Sequence, residues 1–146
     1  MYDNILLPTD GSEGTEGAVA HAFDLAKTYD ATVHTLYVID LKEVNAIEHT
    51  FDTTEYTAEF RSEGESVLEE LEARAEDAGI EITTVLEEGV PHEVILEYSD
   101  DEEMDLIVMG THGRTGLDRY LVGSVTEKVV RLSDVPVLTT RLTSPE

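Results

Sequence analysis

Gly110, Gly113 and the pair Gly123-Ser124 stand apart in this chain because their spacing could hold phosphate. They run as glycine, two residues, glycine, nine residues, glycine-serine, on the end of the apolar run "DLIVM". Gly110 ends that run, and Gly113 permits a positive φ or a close backbone approach, both of which a phosphate-binding concavity requires. Gly123 precedes "SVTE", whose spacing predicts a capping box: Ser124 accepting from the amide of Glu127 while the Glu127 side chain reaches back to the amide of Ser124. The glycines thus lead to the N-terminus of a helix, where unpaired amides and roughly half a positive charge suit an anion. The charge changes sign there as well. Residues 110–131 carry Arg114, Arg119, Lys128 and Arg131 against Asp118 and Glu127, a formal +2 (four minus two) in a chain of −24.

Two familiar phosphate motifs do not fit. The dinucleotide fingerprint needs glycine, one residue, glycine, two residues, glycine after the first strand, whereas Gly110, Gly113 and Gly116 follow the fourth. The P-loop needs Gly-Lys-Ser/Thr, and no lysine follows a glycine in the chain. His112, between Gly110 and Gly113, invites a general-base role because its unperturbed pKa is near ~6.5, with a plain loop histidine as the other reading. His21, His34, His49 and His92 lack ligand spacing, and with no cysteine there is neither a thiolate nucleophile nor a disulfide. Asp10 reads either as a ligand group or as a turn residue. Arg114 and Arg119 read either as phosphate ligands or as surface arginines paired with acids. The group Glu69, Glu70, Glu72 and Glu76 reads as a solvated helix face.

The elements that must position these residues follow from the apolar periodicity. "NILLPTD" (4–10) predicts a buried strand stopping at Pro8, "ATVHTLYVID" (31–40) a second, "IEITTVL" (80–86) a third, "DLIVMG" (105–110) a fourth and "VPVLTTR" (135–141) a fifth, with Pro136 suiting an edge. Ser12 can cap a first helix whose apolar positions are Ala18, Val19, Ala22, Phe23 and Ala26. Phe60, Val67, Leu68, Leu71, Ala75 and Ala78 mark a long helix closed by Gly79. Pro91 begins a short helix (91–100), and 124–133 forms the last. Residues 41–55 have no clean period and read as a loop or partial helix. Strands alternating with helices predict a parallel sheet covered on both faces, whose ligands bind beyond the carboxyl ends of the strands where the strand order reverses. The loops carrying "PTDGS" and "GTHGRTG" lie at such ends.

The 146 residues fit one domain, 1–146, able to bury about 70% of its unfolded surface. The 33 acidic residues against 9 basic ones are spread over every segment, and 40% hydrophobic content argues for a folded core. So acidic a surface excludes direct binding to nucleic acid or an anionic membrane. It reads as adaptation to a halophilic cytoplasm, where salt screens self-repulsion, with an ordinary acidic protein as the other reading. With no leader or apolar span recognisable, the expectation is a soluble cytoplasmic protein.

The glycine spacing with "DLIVMGTHG" before it resembles the ATP-binding signature of universal stress proteins. The resemblance extends to "NILLPTDGS", "YVID", "EGVPHEVILEYSDDEEMDLIVMGTHGRTG" and "GSVTEKVVRLSDVPVL", nearly the whole chain except 41–58. It implies a single open five-stranded parallel sheet of order 3-2-1-4-5 with helices on both faces, a Rossmann-like fold of the adenine nucleotide alpha hydrolase kind. It further implies that Pro8, Thr9 and Asp10 line the adenine and ribose end and that Val38 touches adenine. Met109, Gly110, Gly113 and Arg114, with His112 among them, would follow ribose and phosphates, and Gly123, Ser124, Val125 and Thr126 would hold the phosphates. Mg²⁺ or Mn²⁺ would arrive with ATP. The family usually dimerises, and the apolar residues 135, 137 and 138 on an otherwise open sheet edge predict a homodimer through strand 135–141. Three functions follow from different classes: a nucleotide-dependent regulatory protein, a slow ATPase or nucleotidyl-transfer enzyme, and a nucleotide-free scaffold. For the enzyme, the His-x-Gly-His loop of nucleotidyltransferases is missing after the first strand, where "PTDGS" stands.

Overall fold

The computed structural model describes residues 1–40, 53–111 and 123–141, with side chains from 58 onward in the second of these spans. The elements are β1 (Asn4–Pro8), a 3-10 turn (Glu13–Thr15), α1 (Glu16–Tyr29), β2 (Thr32–Asp40), α2 (Thr53–Ala78), β3 (Ile82–Gly89), α3 (Pro91–Asp101), β4 (Leu106–Gly110), α4 (Ser124–Leu132) and β5 (Val137–Thr140). The strands form one parallel sheet in the order β3-β2-β1-β4-β5, as the resemblance implied.

Burial explains why the strands sort this way. Ile5, Leu6 and Leu7 of β1 and Ile107 and Val108 of β4 are wholly buried, because a central parallel strand is covered on both faces and reads as an unbroken apolar run. Ile5, Leu7, Val33, Leu106 and Val108 meet Ala18, Val19 and Ala22 of α1 and Leu71 and Ala75 of α2 on one face. Leu6, Leu36, Ile107 and Met109 meet Ile95 of α3 and Val129 of α4 on the other. The edge strands β3 and β5 are only half-buried. Gly64 lets α2 lie directly on the sheet: a Cβ there would stand 2.7 Å from Cδ1 of Tyr37 and 2.8 Å from Cδ1 of Leu86.

Three helices return to the sheet through one kind of turn. Asp30, Gly79 and Glu103 adopt left-handed backbone with φ of 56°, 72° and 53°. The next amide in each bonds five residues back: Ala31 to the Ala26 carbonyl, Ile80 to Ala75 and Met104 to Ser99, each at 2.9 Å. This closes the orphan carbonyls of the helix end and drops a buried apolar residue, Ala31, Ile80 or Met104, under the sheet. Asp105 then ties two strands together, its Oδ2 accepting from the amides of Asp3 and Asn4 at 2.9 Å each.

The first helix differs from the expectation at its start. Ser12 precedes the 3-10 turn rather than α1, and no side-chain cap bond forms there. Its Oγ is buried without a hydrogen-bond partner among the described residues, while the Ser12 amide donates to Asp10. The expected loop or partial helix at 41–55 lies mostly outside the described residues. No described helix is long and apolar enough to cross a membrane.

Candidate functional site

Strand order reverses between β1 and β4, the two most buried strands, so the ends of these strands open the natural crevice. The register aligns Pro8 with Leu36 and Gly110 with Thr140, which brings Pro8, Val38, Met109 and Gly110 to one rim of the sheet. Val38 is half-buried and packs with Leu36 and Met109 on the α3 and α4 face. The Met109 side chain belongs to that core at 6% exposure, which leaves its backbone rather than its side chain at the rim.

The loop after β1 is held by its own polar groups. The Thr9 amide donates to the Leu36 carbonyl at 2.9 Å, and the Thr9 Oγ1 accepts the Gly11 amide at 3.1 Å while donating to Thr15 Oγ1 at 3.3 Å. Asp10 Oδ1 accepts the Ser12 amide at 2.9 Å, an Asx turn that holds the half-buried carboxylate at the strand end. Gly11 has φ +78°, and a Cβ on it would come within 2.7 Å of Val67 Cγ2. The loop therefore sits tightly on α2 and fixes Asp10 beside Pro8.

On the other side of the crevice, Thr111 joins three elements. Its amide donates to the Thr140 carbonyl at 2.8 Å, and its carbonyl accepts the Gly123 amide at 2.6 Å. The two described ends of the glycine loop thus meet each other. His112, Gly113, Arg114 and Arg119 lie outside the described residues.

The start of α4 corrects one sequence expectation. Gly123, with φ −59° and ψ 149°, is the N-cap, and no side chain caps the helix. The Glu127 amide goes to the Gly123 carbonyl at 2.9 Å, and the Glu127 carboxylate turns down the helix to Arg131 Nε at 2.9 Å. The capping box does not form because glycine takes the cap position and leaves Ser124 inside the first turn, where its hydroxyl cannot fill a cap's place. The consequence is chemical. The amides of Ser124, Val125 and Thr126 have no carbonyl four residues back inside the helix, and among the described residues no side chain caps them. Ser124 is exposed, Val125 half-buried and Thr126 buried. The Thr126 hydroxyl donates to the Gly110 carbonyl at 2.8 Å, a contact between residues 16 apart that no local pattern announces.

Among the described residues, the groups with clearly shifted proton affinity lie elsewhere, at the opposite end of the sheet. His34 Nδ1 is 2.8 Å from the Tyr98 hydroxyl and Nε2 is 3.1 Å from Asn4 Oδ1. Burial pushes the His34 pKa down, partly opposed by Glu102, and burial with Glu102 and Glu87 pushes Tyr98 up. No described cluster of three or more histidines and carboxylates could hold a metal ion.

A doubly wound parallel sheet with an uncapped helix N-terminus at its switch point defines an α/β protein of the Rossmann-like class. Within that class, a profile of the universal stress protein family matches residues 1–141, and the chain belongs to this family. It is 38% identical over 138 residues to universal stress protein MJ0531 of Methanocaldococcus jannaschii, covering 94% of this chain and 81% of that one. It is 35% identical over 155 residues to universal stress protein MJ0577 of the same organism, covering 94% of each. The solved MJ0577 structure superposes with a TM-score of 0.88 over 99% of both chains. A universal stress protein solved in complex with cAMP shares the fold, with a TM-score of 0.73 at 24% identity over 97% of this chain and 98% of that one.

Proposed function

We propose that this chain is an ATP-binding universal stress protein that acts in the cytoplasm as a regulator, its bound nucleotide changing a dimer or partner surface. The observation that carries the reading is the first turn of α4: a glycine N-cap tied to the end of β4, the strand that neighbours β1 at the switch point. Pro8, Thr9, Asp10 and Val38 offer a half-apolar wall for adenine and ribose. Gly110, Gly123, Ser124 and the first amides of α4 receive the phosphates, with Gly113, Arg114 and His112 assigned to the same role by the motif. Mg²⁺ or Mn²⁺ would be carried by the phosphates. That a family member of the same fold binds cAMP agrees with an adenine nucleotide here. Turnover is expected below the ordinary enzyme range of roughly 1–10³ s⁻¹, because no lysine lies in the loop to offset transition-state charge.

Calorimetry with Mg-ATP in molar KCl tests the reading, comparing wild type with Gly123→Val. ATP at 100 times Kd should add about 2.7 kcal/mol to wild-type stability. The branched Cβ of Gly123→Val should block approach to the first-turn amides and abolish binding, while stability without nucleotide falls by about 1–3 kcal/mol. Unchanged ATP affinity in a folded Gly123→Val protein sinks the mapped site.

A further inference from the structure

Thr126 looks at first like one more phosphate ligand at the helix start, but its side chain points the other way. The residue is 5% exposed and its hydroxyl donates to the carbonyl of Gly110, the last residue of β4. We propose that Thr126 is a positioning residue, whose hydroxyl fixes the first turn of α4 against the end of β4 and makes no contact with phosphate. The inference rests on the nucleotide-binding reading above and deepens it.

The argument is geometric. Among the bonds between described residues, two join the end of β4 to the start of α4: Thr126 Oγ1 to the Gly110 carbonyl at 2.8 Å, and the Gly123 amide to the Thr111 carbonyl at 2.6 Å. They join consecutive residues of the strand end to the N-cap and the third residue of the helix. Two attachment points fix the rotation of the first turn as well as its distance, whereas either alone would leave a pivot. Thr111 is itself anchored to Thr140 of β5 through its amide at 2.8 Å, so the strand end to which α4 is tied is held on its far side. A hydroxyl has one proton, and a proton given to a buried carbonyl is not available to a phosphate oxygen. Removing it leaves the Gly110 carbonyl without that donor in a buried site, which favours displacement of the helix start. Val129, wholly buried one turn later, shows that this is the core-facing side of α4, while the exposed Ser124 lies on the side open to ligand.

The test is Mg-ATP calorimetry in molar KCl on wild type, Thr126→Val and Thr126→Ser, each well below its melting midpoint, with melting recorded separately. Thr126→Val should lose about tenfold in affinity, and Thr126→Ser, which keeps the hydroxyl, should restore it to within about threefold of wild type. A Thr126→Val protein that melts lower but binds ATP as tightly as wild type overturns the inference, because a purely structural hydroxyl moves only the melt. The wild type carries a second readout that does not depend on any variant folding. Its Thr126 hydroxyl proton, followed by NMR, should remain bonded to Gly110 with and without ATP, and departure from Gly110 on adding ATP overturns the inference. Absence of ATP binding in wild type overturns the functional reading and this inference with it. It is distinguished from failure of the inference alone, in which wild type and Thr126→Val bind equally.

Discussion

The residue with the clearest pH consequence is His34. The Tyr98 hydroxyl can donate to its Nδ1 while Nε2–H donates to Asn4 Oδ1, so both ring nitrogens are satisfied in the neutral form. Its folded pKa lies below 6.5, with burial as the main cause, and the groups facing it include Tyr98 and Glu102 of the α3 end. The unfolded chain therefore holds more protons than the folded one in the window just below that value. His34 contributes stability that is present above about pH 6.5 and fades as pH falls toward its folded pKa. Tyr98 runs the opposite way: its folded pKa is raised above 10, so its contribution is present below that pH and is lost as pH rises through the folded value. In denaturant titrations the loss of stability from about pH 7 to 5 should be shallower in His34→Gln than in wild type. An identical slope in the two proteins would show that other groups set it.

The turns that end α1, α2 and α3 belong to the scale of elements, and they contain a local strain. Glycine fills the left-handed position after α2, but Glu103 fills it after α3 at φ 53°. Aspartate, as at Asp30, tolerates that region better than glutamate does. Replacing Glu103 by glycine should raise stability by about 1 kcal/mol, seen as a higher melting midpoint, and a lower midpoint would show that the glutamate makes a contact worth more than the strain. Elements of this kind were largely legible in the sequence. The five strands, the helices between them, Pro91 at the first turn of α3 and Gly79 after α2 all follow from periodicity and punctuation. The strand order came from family resemblance, since periodicity gives faces and not neighbours. What misled was capping: Ser12 and Ser124 match the cap composition, yet a 3-10 turn intervenes after the first and Gly123 displaces the second. Thr126 to Gly110 and His34 to Tyr98 were not legible, because the chain must fold before residues 16 and 64 apart can meet.

At the scale of the whole molecule the formal charge of −24 dominates, and at low salt its self-repulsion acts over about 10 Å, shortening to about 3 Å at 1 M. The melting midpoint should therefore climb between about 0.1 M and molar KCl, and a flat or falling midpoint would count against a halophilic setting. A second copy paired through β5, as proposed for this edge strand, would cover the remaining surface of Val137 and Leu138 and reach Val130 and Leu132, about half exposed on α4. Light scattering in the same salt series should return twice the chain mass. The repeated helix-end turns carry a further consequence for how such a chain can change length. Connections from helix to strand span only 2, 3, 4 and 4 residues, counted between successive element bounds, and three of them are closed by a left-handed residue and a buried plug. In sequence, by contrast, 12 residues (41–52) separate β2 from the first described residue of α2, and 13 (111–123) separate β4 from α4. Insertions and deletions accumulated by descent should fall at the pole of the sheet that carries the candidate site, while the opposite pole keeps its spacing, so that this architecture can vary its ligands and partners without renegotiating its core.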